Sequence, residues 1–130
     1  MTPEERLGAD VAAELRRPGP ILVVGCELEG AIDPLRAAGF DVSLLDESET
    51  GVAELRARRL DVDGRLFVAD PLDWRPPRRF DYVLAREDHV APRDREGFRE
   101  HAFAALLFPD GKLVLLGEGI SVFTPPDRDR

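Results

Sequence analysis

Asp46 closes the stretch ILVVGCELEGAIDPLRAAGFDVSLLD, residues 21–46, and its type and place suggest chemistry. If that stretch folds as strand, turn, helix and strand, the carboxylate stands at the tip of the second strand. There it can accept both hydroxyls of a ribose, which makes a nucleoside the ligand to consider first. Gly25 opens the intervening turn, but Glu27 and Glu29 follow where a backbone cradle wants glycine. Gly25 and Gly30 take the first and last places of a G-x-G-x-x-G pattern, and Glu27 takes the middle one. A carboxylate at that middle place repels a pyrophosphate, so dinucleotides are disfavoured. Asp70 is a second acid at the end of an apolar run. Glu87, Asp88 and His89 form a row of candidate general bases. Cys26 with His89 has the makings of a nucleophile and its base. No third partner is visible, and Cys26 reads first as a small buried residue.

The elements that must position these residues are legible from periodicity and punctuation. Residues 3–17 predict an amphipathic helix, with Thr2 as cap, Pro3 at the first helical position, and Leu7, Val11 and Leu15 four apart. Residues 21–24 are a continuous apolar run, as in a strand covered on both faces. A short helix over 31–38 should stop at Gly39, and 41–45 should form the second strand. Ser48 caps a helix to residue 59, 65–69 form a third strand, and the prolines of PLDWRPPRR exclude a helix after it. Trp74, in that segment, is expected to pack over the sheet edge. A fourth strand over 80–85, a long helix over 92–107 and a fifth strand over 112–116 follow. Residues 120–124 are apolar enough for a sixth strand, and Gly117-Glu118-Gly119 is short enough for a hairpin. Such alternation predicts one α/β domain spanning 1–130, a Rossmann-like three-layer sandwich with a parallel sheet of order 3-2-1-4-5 and an antiparallel edge strand. Ligands of such sheets bind beyond the carboxyl ends of the strands. That rule selects residues 25–30, Asp46 and Glu47, Asp70 and 86–90, and removes Arg78 and Arg79 at the opposite end.

Composition bounds the partners. The 130 residues are 43% hydrophobic and 34% charged, which suits a globular chain with a single core. A net charge of -8 works against nucleic acid and anionic lipid, and neither is expected as a partner. The longest apolar run, 102–108, is far short of the roughly 20 residues needed to span a bilayer. The first seventeen residues mix both charge signs without an apolar core, so a cytoplasmic location is expected. One cysteine excludes an internal disulfide and argues against a cysteine-rich zinc site; no metal is expected.

The chain resembles the class I S-adenosylmethionine-dependent methyltransferases from residue 21 to residue 117. ILVVGC resembles the first strand and glycine turn of that family, SLLDES its second strand and acid, FVADPLDW its third strand. FDYVLARED resembles the fourth strand, and LFPDGKLVLLGE the turn into the fifth. The resemblance implies S-adenosylmethionine as cofactor, with Gly25 in the turn, Asp46 on the ribose and Asp70 on the adenine. It also implies an acceptor, a small molecule or a protein, facing Glu87, Asp88 and His89. The departures are specific. Val23 stands where the family has an acid, Glu27 and Glu29 replace glycines, and thirteen residues follow Gly117. A carboxylate at Glu27 repels the methionine carboxylate of the cofactor unless it turns toward the positive sulfonium. The expectation is weak binding and a shortened methyltransferase-like domain with reduced or lost transfer. The alternative is a pseudo-enzyme serving as a binding or oligomerisation module. An exposed fifth-strand edge, LVLL, adds the expectation of a homodimer.

Overall fold

A computed structural model describes residues 1–126. Helix α1 (Pro3–Leu15) begins on a reciprocal cap. The Thr2 hydroxyl accepts from the Glu5 N–H at 3.1 Å, and the Glu5 carboxylate accepts from the Thr2 N–H at 3.1 Å. The helix ends short of residue 17 because Arg16 turns left-handed, with φ 64°, and Arg17 precedes a proline. Strand β1 (Pro20–Val24) runs through the turn at Gly25 into a 3-10 segment, Cys26–Ala31, and helix α2 (Ile32–Ala37). Strand β2 (Asp41–Asp46) leads to α3 (Glu49–Arg58), whose cap Ser48 accepts from the Gly51 N–H at 2.9 Å. Strands β3 (Leu66–Val68) and β4 (Phe80–Arg86), helix α4 (Arg95–His101), and strands β5 (Leu107–Leu116) and β6 (Ile120–Phe123) complete the order.

The sheet order is β3-β2-β1-β4-β5-β6, parallel except for the last pair, as the alternation predicted. The segment after Gly119 folds back on its own chain, pairing Leu113 with Phe123 and Leu116 with Ile120. Side chains of β1 alternate between two cores. Ile21 and Val23 pack under α1, α2 and α3, while Leu22 and Val24 face Phe98, Ala102 and Leu106 on the other side. The side chains of Ile21, Leu22, Val23 and Val24 are all buried, as the unbroken apolar run required.

Two expected elements differ. The single helix over 92–107 is a 3-10 turn at Pro92–Asp94, then α4, then a π turn at Ala102–Leu106. The wider turn sets Ala102, Ala105 and Leu106 against the sheet before the chain reverses into β5. The fifth strand starts at Leu107, not at 112. Phe80 pairs with Leu107 and Tyr82 with Lys112, so the intervening FPDG bulges from the edge. Among the described residues no helix is long and apolar enough to cross a membrane.

Helix α1 lies directly on the 3-10 segment after β1. A Cβ built on Gly8 would stand 2.7 Å from the Ala31 carbonyl oxygen and 2.9 Å from its Cα, both backbone atoms that cannot turn aside. Gly8→Ala should therefore destabilise the fold by about 1–3 kcal/mol, read from the midpoint of urea unfolding. Gly97 in α4 has open space around it, and Gly97→Ala should leave stability unchanged or raise it by up to about 1 kcal/mol. Equal effects at the two sites would contradict the close approach of α1.

Candidate functional site

The parallel register assembles the site. Val24 pairs with Leu45 on one side and Ala85 on the other, so Gly25, Asp46 and Arg86 end on the same rim. At Gly25 the backbone takes φ 111°, which a side chain would strain. Its N–H donates to the Leu45 carbonyl at 2.8 Å, and its carbonyl accepts from the Leu28 N–H at 3.2 Å. The chain therefore turns sharply at the end of β1 and directs the next N–H toward the neighbouring strand tip.

That N–H belongs to Cys26, and it donates to Asp46 Oδ2 at 2.7 Å. Asp46 Oδ1 accepts from the Ser48 N–H at 2.8 Å. One half-buried carboxylate thus ties the β1 turn to the start of α3. Burial pushes its pKa up. The hydrogen bonds from Ser48 and Cys26, with His89 nearby, outweigh burial and hold it below the usual range. Each carboxylate oxygen keeps a second lone pair. Beside Asp46 a cleft of about 250 Å³ opens, lined by Val24, Gly25, Ser48, Pro71 and His89.

Glu27 fills the approach to the turn. Its carboxylate would lie 2.5 Å from a Cβ at Gly25, and its Oε1 is 3.1 Å from His89 Nδ1. Glu29 does not join it. That side chain leaves the rim and pairs with Arg58 at 2.8 Å and Arg59 at 4.0 Å. Of the three candidate bases only His89 reaches the cleft. Glu87 leans toward Arg95 at 3.7 Å and over Gly117, and Asp88 stands 3.5 Å from Arg86. Asp70 is exposed, and its Oδ1 accepts from the Leu72 N–H at 2.9 Å, an ordinary Asp-Pro turn beside the cleft. Trp74 packs on Phe67 with ring centroids 5.0 Å apart, and its carbonyl lies 2.6 Å from His101 Nε2. Both belong to the packing of the sheet edge. Arg78 binds Asp41 at the opposite rim.

Cys26 is no activated nucleophile. Desolvation first, then the carboxylates of Asp46, Glu27 and Glu29, push its thiol up to about 12. His89 sits on Glu27 instead. The sequence carried the signal for that contact, since both residues follow adjacent strands, but it left Glu27 and Cys26 equally placed to meet the histidine. A larger groove of about 590 Å³ runs between α1 and the β5–β6 turn. Its acids, Asp10 and Glu14 on α1 and Glu118 in the β5–β6 turn, are exposed. The smaller cleft opens beyond the carboxyl ends of β1 and β2, beside the half-buried Asp46, and is therefore the candidate site.

No protein-family model matches the chain, and no curated protein does. Solved structures do. The glycopeptide N-methyltransferase MtfA, complexed with sinefungin, is 22% identical over 88% of this chain and 50% of its own, with a TM-score of 0.73. CalS10, an amino pentose methyltransferase from Micromonospora echinaspora with S-adenosylmethionine bound, is 24% identical over 88% of this chain and 50% of its own, with a TM-score of 0.71. The PH0226 protein from Pyrococcus horikoshii OT3 is 22% identical over 85% and 51%, with a TM-score of 0.71. The fold is that of the class I S-adenosylmethionine-dependent methyltransferases. The chain spans about half the length of these structures.

The raised thiol has two measurable consequences. At pH 8, Cys26 should react with iodoacetamide on the order of a thousandfold more slowly than a free cysteine, because so little thiolate is present. A thiol whose pKa is higher in the folded state binds its proton more tightly there. Its stabilising contribution is complete below the unfolded value near 9.0 and is lost as the pH rises toward 12. Alkylation of the native protein at the rate of free cysteine would contradict this environment.

Proposed function

We propose that this chain is a methyltransferase-like domain that binds S-adenosylmethionine weakly and transfers methyl groups slowly or not at all. The observation that carries the reading is Asp46, an ionised carboxylate fixed at the tip of β2 and facing the cleft beside Gly25. The nucleoside half of the cofactor fits. Asp46 retains acceptor capacity for two ribose hydroxyls, and Pro71 offers an apolar wall beside it. The amino-acid half does not fit while Glu27 stays on His89, because its carboxylate occupies the approach to the turn. At about 250 Å³ the cleft is also smaller than the roughly 300–1,000 Å³ usual for small-molecule sites. Glu27 must swing out for the ligand to seat.

When bound, the cofactor would supply a sulfonium methyl group to an acceptor. The chain's own contribution is positioning by Asp46 and Gly25, with His89 as the residue able to take the acceptor's proton. Glu87 and Asp88, which face Arg95 and Arg86, are secondary candidates on the same loop. Asp70 would reach the adenine only by leaving its turn hydrogen bond with Leu72.

The pairing of Glu27 with His89 also favours a second reading, a binding or oligomerisation module without transfer, because it blocks the turn from within. The outer edge of β6, with Val122 exposed, would then serve a homodimer.

Calorimetric titration with S-adenosylhomocysteine separates the two readings. Weak but measurable binding is expected, abolished by Asp46→Ala. Glu27→Gln should tighten it about fivefold, the effect of removing one close like charge worth roughly 1 kcal/mol. Glu29→Gln should leave it unchanged, since Glu29 faces Arg58. No binding by the wild type or by Glu27→Gln, in folded protein, would overturn the adenosyl reading. Self-association is checked by light scattering on the full chain. A dimer at high micromolar concentration is expected, and a strict monomer would remove the edge-pairing role.

A further inference from the structure

We propose that Glu27, Asp46 and His89 form a binding site for a first-row divalent transition-metal ion of the zinc class. The proposal concerns the same cleft as the adenosyl reading but does not rest on it. The three side chains come from the turn after β1, the tip of β2 and the turn after β4, brought together by the parallel register of those strands. One ligand atom from each lies within 4.8 Å of the other two, and His89 Nδ1 is already 3.1 Å from Glu27 Oε1. Ligands at about 2.0–2.2 Å from one ion stand roughly 3–4 Å apart, so closure needs only small rotations. Glu27 and His89 are the exposed pair, with side chains 37% and 46% accessible, and are free to make them.

Two features of the cluster favour an ion over a solvated group of acids. Asp46 does not have to be organised on binding, because the Cys26 and Ser48 N–H groups already fix both of its oxygens, as outer-shell donors do for a ligating carboxylate. Neither Glu27 nor Asp46 is paired with an arginine or lysine among the described residues. The neighbouring Glu29, Asp33 and Asp61 are all paired with arginine. Two carboxylates therefore converge on an imidazole with no fixed cation between them. The donor set then selects the metal. One imidazole nitrogen and two carboxylates suit zinc, cobalt, nickel or manganese, whereas magnesium prefers oxygen ligands alone and keeps its water. Three protein ligands leave at least one position for water or a small ligand. An ion there draws on Asp46 and holds Glu27 over Gly25, so metal and adenosyl ligand exclude one another.

The test uses the full, untagged chain with metal salts alone. The chain has two histidines, so imidazole resonances in a nitrogen-proton correlation spectrum report which one binds. Zinc should shift the His89 ring and leave the His101 ring in place, with a dissociation constant in the micromolar range by calorimetry. Cobalt should add visible absorption bands at one equivalent, and magnesium at millimolar concentration should do neither. Glu27→Gln and His89→Ala should each weaken zinc at least tenfold, with folding of both variants checked by circular dichroism. Unchanged zinc affinity in both variants, or a shift confined to His101, would overturn the site. Titration of metal-free protein with S-adenosylhomocysteine is scored separately. Its failure removes the adenosyl reading and leaves the metal site standing, and zinc that weakens a measured binding shows the predicted competition. Simultaneous, independent binding of both would overturn the exclusion.

Discussion

The two hydrogen bonds to the Asp46 carboxylate are the constraint on which the functional end of this molecule depends. They join the backbone of the turn after β1 to the backbone before α3, across two parallel strands. Hydrogen bonds to an ionised group are worth more than neutral ones, and leaving such a group partly buried without them is costly. The turn therefore holds its sharp conformation at Gly25 without the glycines that would otherwise relax it. It does so even though its own side chains, Glu27 and Glu29, add negative charge close to Asp46. Glu29 escapes to Arg58 and Arg59, while Glu27 settles on His89. The same carboxylate that organises the cleft is the group that any ligand of the cleft must meet.

This arrangement links the stability of the rim to its chemistry. A thiol placed beside Asp46 is kept protonated, which removes a nucleophile from the site. Glu27 is an exposed acid at this rim, and in the two proposed readings its position sets what the cleft accepts. Over Gly25 it presents a second carboxylate beside Asp46, which suits a cation. Swung outward, it leaves a short glycine turn next to an acid, which suits a nucleoside. Both states use a backbone that the sheet has already fixed.

Most of the architecture was legible in the sequence because it rests on local signals. The apolar run 21–24, the cap at Thr2, the stop at Gly39 and the GEG hairpin each specify one feature without reference to the rest. The elements misjudged were those whose form is set by packing. The stretch 92–107 has a helical pattern throughout, yet the need to seat Ala102, Ala105 and Leu106 on the sheet widens its last turn. The site was legible to the level of strand tips and no further. Position after a parallel strand placed Gly25, Asp46 and His89 correctly on one rim. It could not say that Glu27 and Glu29, two residues apart in a 3-10 segment, would point to different partners. Nor could it show that Glu87 and Asp88 would turn away from the residue beside them.

The central claim, that Asp46 and the turn it holds are the ligand-binding face of this fold, is tested most directly by mapping backbone amide shifts in the full chain as S-adenosylhomocysteine is added. The account predicts progressive shifts at Gly25, Cys26, Asp46 and Ser48, with the Cys26 and Ser48 amides moving most because their shared acceptor engages the ribose. Shifts confined to the groove between α1 and the β5–β6 turn, with those four amides unmoved at saturation, would contradict it.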